Sequence, residues 1–259
     1  MISLVLTTCS AETLTSTILP DTGASIGFSI FIDSSIQSVS PSLTVSPTLT
    51  LTLIILPVMG TSFDGAMWDR ARHQAVLEDA ELVISRLAKL GGRTLGTSVG
   101  HAPQRKTEAQ LDAQAELLRK IIVFGAKNGV VLNLHNHTYE VADNLHDLKG
   151  TLARIPDVKL GPDLNWLVRG GVDPAQFIRQ YGKQIVFLHL RDQNADGRWS
   201  EALGEGSMDY PGIAQALREI GFHGDAVIEL AHEGGFKPTR PLRESLKMSR
   251  EFVRRTLGY

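Results

Sequence analysis

The sequence predicts an α/β protein of the (β/α)8 barrel class. Three observations carry that prediction. The length of 259 residues is close to the roughly 250 typical of one such barrel. Apolar β-type runs alternate with helical periodicity through most of the chain, which implies parallel strands joined by right-handed crossovers. Each of the last four β runs also ends in a charged or metal-capable side chain.

The chain begins in a different style. Residues 1–57 form an atypical Ser/Thr-rich segment, and no Lys or Arg occurs before Arg70. Three β-like runs lie in it, ISLVLTT, SIGFSIFI and LTLTLIIL, with no recognisable helices between them. Two readings account for this segment: a Ser/Thr-rich strand region or partly disordered extension, or a stretch translated from another frame or start. The barrel domain proper is placed at residues 58–259.

From Asp69 the pattern is regular. Asp69 to Leu90 is expected to be a helix, with Val76, Ala80, Val83, Leu87 and Leu90 on one face and Gly91-Gly92 as its stop. RTLGTSV is a strand. Thr107 and Gln110 form a capping-box start for a helix carrying Leu111, Ala115, Leu118 and Ile122. GVVLNLH is an apolar strand of the kind covered on both faces. Asp143 to Arg154 is expected to be helical, then VKLGPD a strand. Asp173 followed by Pro174 marks a helix N-cap with proline in the first turn. QIVFLHL is a strand, Pro211 to Ile220 a helix, DAVIEL a strand and Pro241 to Thr256 the last helix. Five strands here and three in the first segment make eight.

Composition narrows the function. A formal net charge of −2 gives no general attraction to polyanions, so nucleic acid is not an expected partner. The lone cysteine, Cys9, cannot form an internal disulfide and fits a reducing, cytoplasmic compartment. The start has no basic residue near Met1 and only a short apolar stretch, unlike a secretory leader. LTLTLIILPVM is shorter than the about 20 residues a spanning helix needs, so no membrane is expected.

In a parallel barrel the reacting groups sit at the carboxyl ends of strands. GVVLNL runs into His135, His137 and Glu140; VKLGP into Asp163, Asn165 and Trp166; QIVFL into His189, Arg191 and Asp192; DAVI into Glu229, His232 and Glu233. A single such ending is usually a loop hydrogen bonder. Four successive endings converge on one rim, and their mixed oxygen and nitrogen donors suit Mn²⁺, Mg²⁺, Co²⁺ or Zn²⁺.

The blocks HNHTYE (135–140), PDLNW (162–166), GGVDPAQFI (170–178), FLHLRD (187–192), LGEGSMDYPGIAQALREIGFHG (203–224) and VIEL (227–230) resemble the sugar phosphate isomerase/epimerase family, the xylose-isomerase-like TIM barrels, over about residues 58–259. The resemblance implies a divalent metal held by Asp163, His189 and Glu229, with a fourth ligand from HNHTYE. Many relatives have glutamate where this chain has His135, so Glu140 is the favoured fourth ligand and His135 its rival. It also implies that His137 faces the substrate. His135, Trp166 beside Asp163, and Arg191 are further substrate-facing candidates; Trp166 has packing as its plainer role and Arg191 a surface ion pair with Asp192 or a neighbour. Trp166 stands where many epimerases place a substrate-binding histidine, which weighs against plain ketose 3-epimerisation.

The expected activity is a divalent-metal-dependent isomerase or epimerase acting on a sugar or keto-sugar through an enediolate-type intermediate. Glu229 and Glu140 are the expected acid–base groups. Loss of a β-leaving group would instead make a dehydratase or C–O lyase acting on an inosose or 3-keto-glycoside. A non-catalytic, damaged barrel is the third reading; its unclosed strand edges would pair with further copies of the chain. An apurinic-site nuclease is disfavoured by the charge. Other residues have plainer roles available: Glu205 in a turn, His232 and Glu233 in a solvated loop, His101 lining the rim, Trp68 and Trp199 in packing or a sugar-facing wall.

Overall fold

Parallel pairing follows from apolar runs that alternate with helices, and the ladder confirms it. A computed structural model describes residues 66–258 apart from Leu90 and Ala231, together with three short strands nearer the start. Among the described residues eight strands form one sheet: β1 (Ile2–Leu4), β2 (Gly27–Phe31), β3 (Leu51–Ile54), β4 (Thr94–Thr97), β5 (Val131–Leu134), β6 (Lys159–Leu160), β7 (Phe187–Leu190) and β8 (Asp225–Ile228). Their order is β6-β5-β4-β3-β2-β1-β8-β7. The first strand lies beside the last, with Ile2 opposite Ala226 and Leu4 opposite Ile228. The ends of the ladder meet through the isolated parallel bridges Leu160↔Ile185 and Asp163↔His189, so the sheet closes into a barrel. The Ser/Thr-rich stretches between the first three strands, and Cys9 with them, lie outside the described residues.

Seven helices follow within the described residues: α1 (His73–Lys89), α2 (Glu108–Lys127), α3 (Thr138–Arg154), α4 (Leu164–Arg169), α5 (Pro174–Tyr181), α6 (Tyr210–Glu219) and α7 (Leu242–Leu257). Their apolar faces, such as Ile84 and Leu87 of α1 and Leu117, Leu118 and Ile121 of α2, are buried in a core with Leu188 and Leu190 of β7. The capping box of Thr107 and Gln110 forms as expected, and Asp173 caps α5 through the N–H groups of Ala175 and Gln176.

The expected strands from RTLGTSV onward are each shorter in the structure, QIVFLHL for example being a strand only at Phe187–Leu190, and other boundaries differ as well. The helix expected from Asp69 begins as a 3-10 turn, Arg70–Arg72, capped by Asp69, before α1 starts. The helix expected from Asp143 begins earlier, at Thr138, and is interrupted where Asp143, Asn144 and Leu145 take φ of 52°, 56° and 62°. VKLGPD is a strand only at Lys159–Leu160. Gly161 lies against the Asn133 side chain, where a Cβ would clash, and Pro162 has no N–H to offer a ladder. Beyond Leu160 the regular ladder gives way to the single bridge of Asp163 with His189, and the chain turns directly into α4, a helix the sequence pattern did not reveal.

Candidate metal and substrate site

Barrel backbone bonds pin the four strand endings. His135 N–H donates to Thr97 O (3.0 Å), His189 N–H to Pro162 O (2.9 Å) and Glu229 N–H to Leu190 O (3.0 Å). Asp163 N–H donates to the Asn136 side chain (3.1 Å). Each side chain thus leaves a rigid element at a fixed height on one rim, as catalytic sites of parallel barrels require.

His135, Asp163 and His189 come together there, with ligand atoms all within 4.8 Å of one another. Asp163 and His189 have no exposed surface and His135 only 2%. Both ring nitrogens of His135, Nε2 of His189 and Oδ2 of Asp163 have no hydrogen-bond partner. Buried polar atoms are ordinarily paired, so one ligand atom from each of these three residues, gathered in a space this small, fits a divalent cation. Asp163 does two jobs: Oδ1 accepts the N–H groups of Asn165 and Trp166, capping α4, while Oδ2 faces the site.

Glu229 lies beside this trio. Its Oε2 is 3.2 Å from His189 Nδ1, a bond that leaves Nε2 to act as the lone-pair donor. Its Oε1 accepts from an Arg191 terminal N–H, and Arg191 Nε is 3.0 Å from Asp163 Oδ2, in contact but without hydrogen-bond alignment. Burial pushes the Asp163 carboxyl above its ordinary value against the pull of Arg191. Burial also pushes Glu229 up, but Arg191 and His189 outweigh it and leave Glu229 below its ordinary value. Burial first, then the neighbouring His189, His137 and Arg191, hold the His135 imidazole well below its usual value, so it stays neutral.

Glu140 is placed elsewhere. Its Oε1 accepts from Ser98 Oγ (2.5 Å) and its Oε2 from the His137 N–H (2.6 Å), so it closes the first turn of α3 as the N3 member of a capping box. The structure groups His135, rather than Glu140, with Asp163 and His189. His137 faces the site edge-on to His135 with centroids 4.8 Å apart, and its Nδ1 is bonded to Tyr139 Oη (3.0 Å). Tyr139 also meets Ser98 (3.1 Å). Ser98 and Tyr139 were not singled out by the sequence reading, although Ser98 directly follows the last residue of β4, Thr97, where the strand-end rule applies.

The outer wall is aromatic. Trp166 and Trp199 stand nearly perpendicular, 5.6 Å apart, with the Arg169 guanidinium 4.2 Å from the Trp199 ring and Arg191 within 5.6 Å of both indoles. Trp199 Nε1 donates to Asn165 Oδ1 (2.7 Å), while Trp166 Nε1 has no partner. Glu233 ties the wall together, accepting from Trp199 N–H and Arg169. Trp68 bonds the His101 carbonyl, and His101 packs on Tyr139. Asp192 is no surface partner of Arg191: buried, it accepts the N–H groups of Gln193, Gly204, Gly206 and Met208. Glu205 accepts from Ala202 N–H and Arg240, a loop role.

Over residues 48–252 the sequence matches the xylose isomerase-like TIM barrel family. The chain belongs to this family. Among solved structures, an L-ribulose 3-epimerase superposes with a TM-score of 0.70 at 21% identity, covering 90% of this chain and 84% of the other. A sugar phosphate isomerase/epimerase from Parabacteroides distasonis ATCC 8503 gives 0.66 at 16%, covering 88% and 86%. A 3-keto-D-glucoside 4-epimerase from E. coli gives 0.59 at 18%, covering 78% and 80%. Comparison with curated proteins finds no match. Among the described residues of this xylose isomerase-like barrel, no helix is long and apolar enough to cross a membrane.

Proposed function

We propose that this xylose isomerase-like barrel is a divalent-metal-dependent isomerase or epimerase of a sugar or keto-sugar. The observation that carries the reading is the buried trio of His135, Asp163 and His189, which brings one ligand atom from each residue within 4.8 Å of the others. The structural likeness to sugar epimerases supports the substrate class.

In this reading His135, Asp163 and His189 hold the ion and Glu229 is the adjoining carboxylate; Glu140 keeps its helix-capping role and is not a ligand. Two imidazoles and a carboxylate favour Mn²⁺, Co²⁺ or Zn²⁺ over Mg²⁺, which prefers oxygen. When bound, the cation polarises a substrate carbonyl and acidifies the neighbouring C–H. Glu229, below its ordinary value and so ionised at neutral pH, takes up that proton at a carboxylate oxygen. Returning it to the neighbouring carbon isomerises the sugar, whereas epimerisation requires a second donor to protonate the same carbon from the opposite face while Glu229 keeps the proton it removed. His137, fixed through Nδ1 by Tyr139, offers its other nitrogen to a sugar hydroxyl. Trp166 and Trp199 cover an apolar C–H face of the ring and exclude water, and the unpaired Trp166 N–H is a donor for a hydroxyl.

The test is incubation of Mn²⁺-loaded protein with ketoses and 3-keto-glycosides in D₂O. Deuterium at the carbon beside the carbonyl, with a stereoisomer or positional isomer as product, is expected. Elimination products would move the chain to the dehydratase or C–O lyase reading, and no exchange with any of them would remove the activity proposed.

A further inference from the structure

Resting on the metal reading above, we infer that Arg191 holds the site's carboxylates while no divalent cation is bound, and that cation binding displaces its guanidinium. Arg191 contacts Asp163 Oδ2 and Glu229 Oε1 at once and is 5% exposed. Its single positive charge bridges the two buried carboxylates, offsetting one of them, without completing the site. Its Nε is not aligned on Asp163, and both nitrogens of His135 and Nε2 of His189 remain without partners.

At Asp163 Oδ2 the guanidinium and a divalent cation compete for the same buried space. Like charges within a few ångströms in a buried, weakly screened space repel strongly. The arginine therefore leaves when the metal arrives, and an aromatic corner already lies beside it. The Arg191 guanidinium carbon is 5.1 Å from the Trp199 ring centroid and 5.6 Å from that of Trp166, within the range where an indole face attracts a cation. A short swing toward that corner frees Glu229 and turns Arg191 N–H groups toward the space where the sugar lies. Metal loading thus also delivers the substrate-facing arginine, which orders the two events: cation first, sugar second.

The experiment measures Mn²⁺ binding by titration calorimetry to wild type, Arg191→Gln and Arg191→Lys. If the guanidinium occupies the carboxylates nine-tenths of the time, its removal tightens Mn²⁺ binding by about tenfold. Arg191→Gln is expected to bind Mn²⁺ at least that much more tightly and to gain more thermal stability from Mn²⁺ than wild type does. Arg191→Lys, too short to bridge both carboxylates, is expected to fall between. Equal affinity for wild type and Arg191→Gln would overturn the displacement and leave the metal reading standing. Failure of both to bind Mn²⁺, Co²⁺ or Zn²⁺ would remove the metal reading and this inference together.

Wild-type protein gives a measurement free of any folding defect. Phenylglyoxal labelling, read by peptide mass spectrometry, is expected to modify Arg191 faster once Mn²⁺ is added. Protection that Mn²⁺ leaves unchanged would show that the arginine does not move.

Discussion

Asp163 and His189 face each other across a parallel bridge, so the closing seam of the barrel and two donors of the candidate metal site are one piece of structure. Closure of the sheet brings the donors together, and any displacement of the seam would separate them.

Asp163 serves α4 and the site through different oxygens, and two substitutions separate these roles. Asp163→Asn keeps an N-cap acceptor but loses the anionic donor, whereas Asp163→Ala loses both. Each variant is expected to lose bound metal and turnover. The alanine variant should be less stable than the asparagine variant by about 1 kcal/mol, the usual cost of a lost N-cap. Urea unfolding and metal analysis read the two effects, and full metal stoichiometry in either variant would remove Asp163 from the ligand set.

His135 and Glu140 divide in the opposite sense. His135→Ala is expected to abolish metal retention with the barrel intact. Glu140→Gln weakens its hydrogen bonds to Ser98 and the His137 N–H, at a cost of about 1–2 kcal/mol, and should keep its metal. Metal loss in Glu140→Gln with retention in His135→Ala, measured by mass spectrometry of purified protein, would restore Glu140 as the ligand.

These two residues show what the sequence could and could not disclose. Strand endings were legible because β-runs and helix signals bound them, so Asp163, His189 and Glu229 could be placed on one rim from spacing alone. Glu140 sits in the same block, but its orientation depends on Ser98, 42 residues earlier, and on the unpredicted start of α3 at Thr138. The same is true of Arg191 and Asp192. They are adjacent in sequence and opposite in sign, but one turns into the metal trio while the other turns back to hold loop amides. Adjacent residues on a strand exit face opposite ways, and a pattern of residue types does not record which.

Away from the site, Lys106 is buried with Nζ 2.5 Å from Asp147 Oδ2 and 2.7 Å from Gln114 Oε1. Asp147→Asn leaves the ammonium without its carboxylate and should destabilise the protein by about 3–5 kcal/mol, most of it recovered in the Lys106→Met, Asp147→Asn double variant. Burial, opposed by Lys106 and Gln114, raises the Asp147 carboxyl above 3.8. The folded chain therefore takes up this proton before the unfolded chain does, which favours folding as pH falls through that window. Stability of the double variant should fall more steeply than wild type as pH falls toward the ordinary carboxylate value of about 3.9. Additive single-variant effects in urea titrations would dissolve the pair.

The last prediction concerns the wall rather than the metal. Asp192 Oδ1 accepts from Gln193 and Met208, and Oδ2 from Gly204 and Gly206. Four backbone donors on one buried carboxylate fold the 193–209 segment, which carries Trp199, over the rim. Gly206 has no side chain because a Cβ there would clash with that carboxylate, and Gly204 takes a φ of 88°. In Asp192→Asn either orientation of the amide turns an N–H toward two of the donors, with an expected loss of about 3 kcal/mol. Trp199 would then leave its bond to Asn165, and the sugar would lose one wall of its pocket while His135, Asp163 and His189 stay in place. The variant should therefore bind metal as wild type does, show altered tryptophan fluorescence, and have a KM raised more than kcat is lowered. An unchanged KM in a folded Asp192→Asn protein would mean that the 193–209 segment does not touch the substrate.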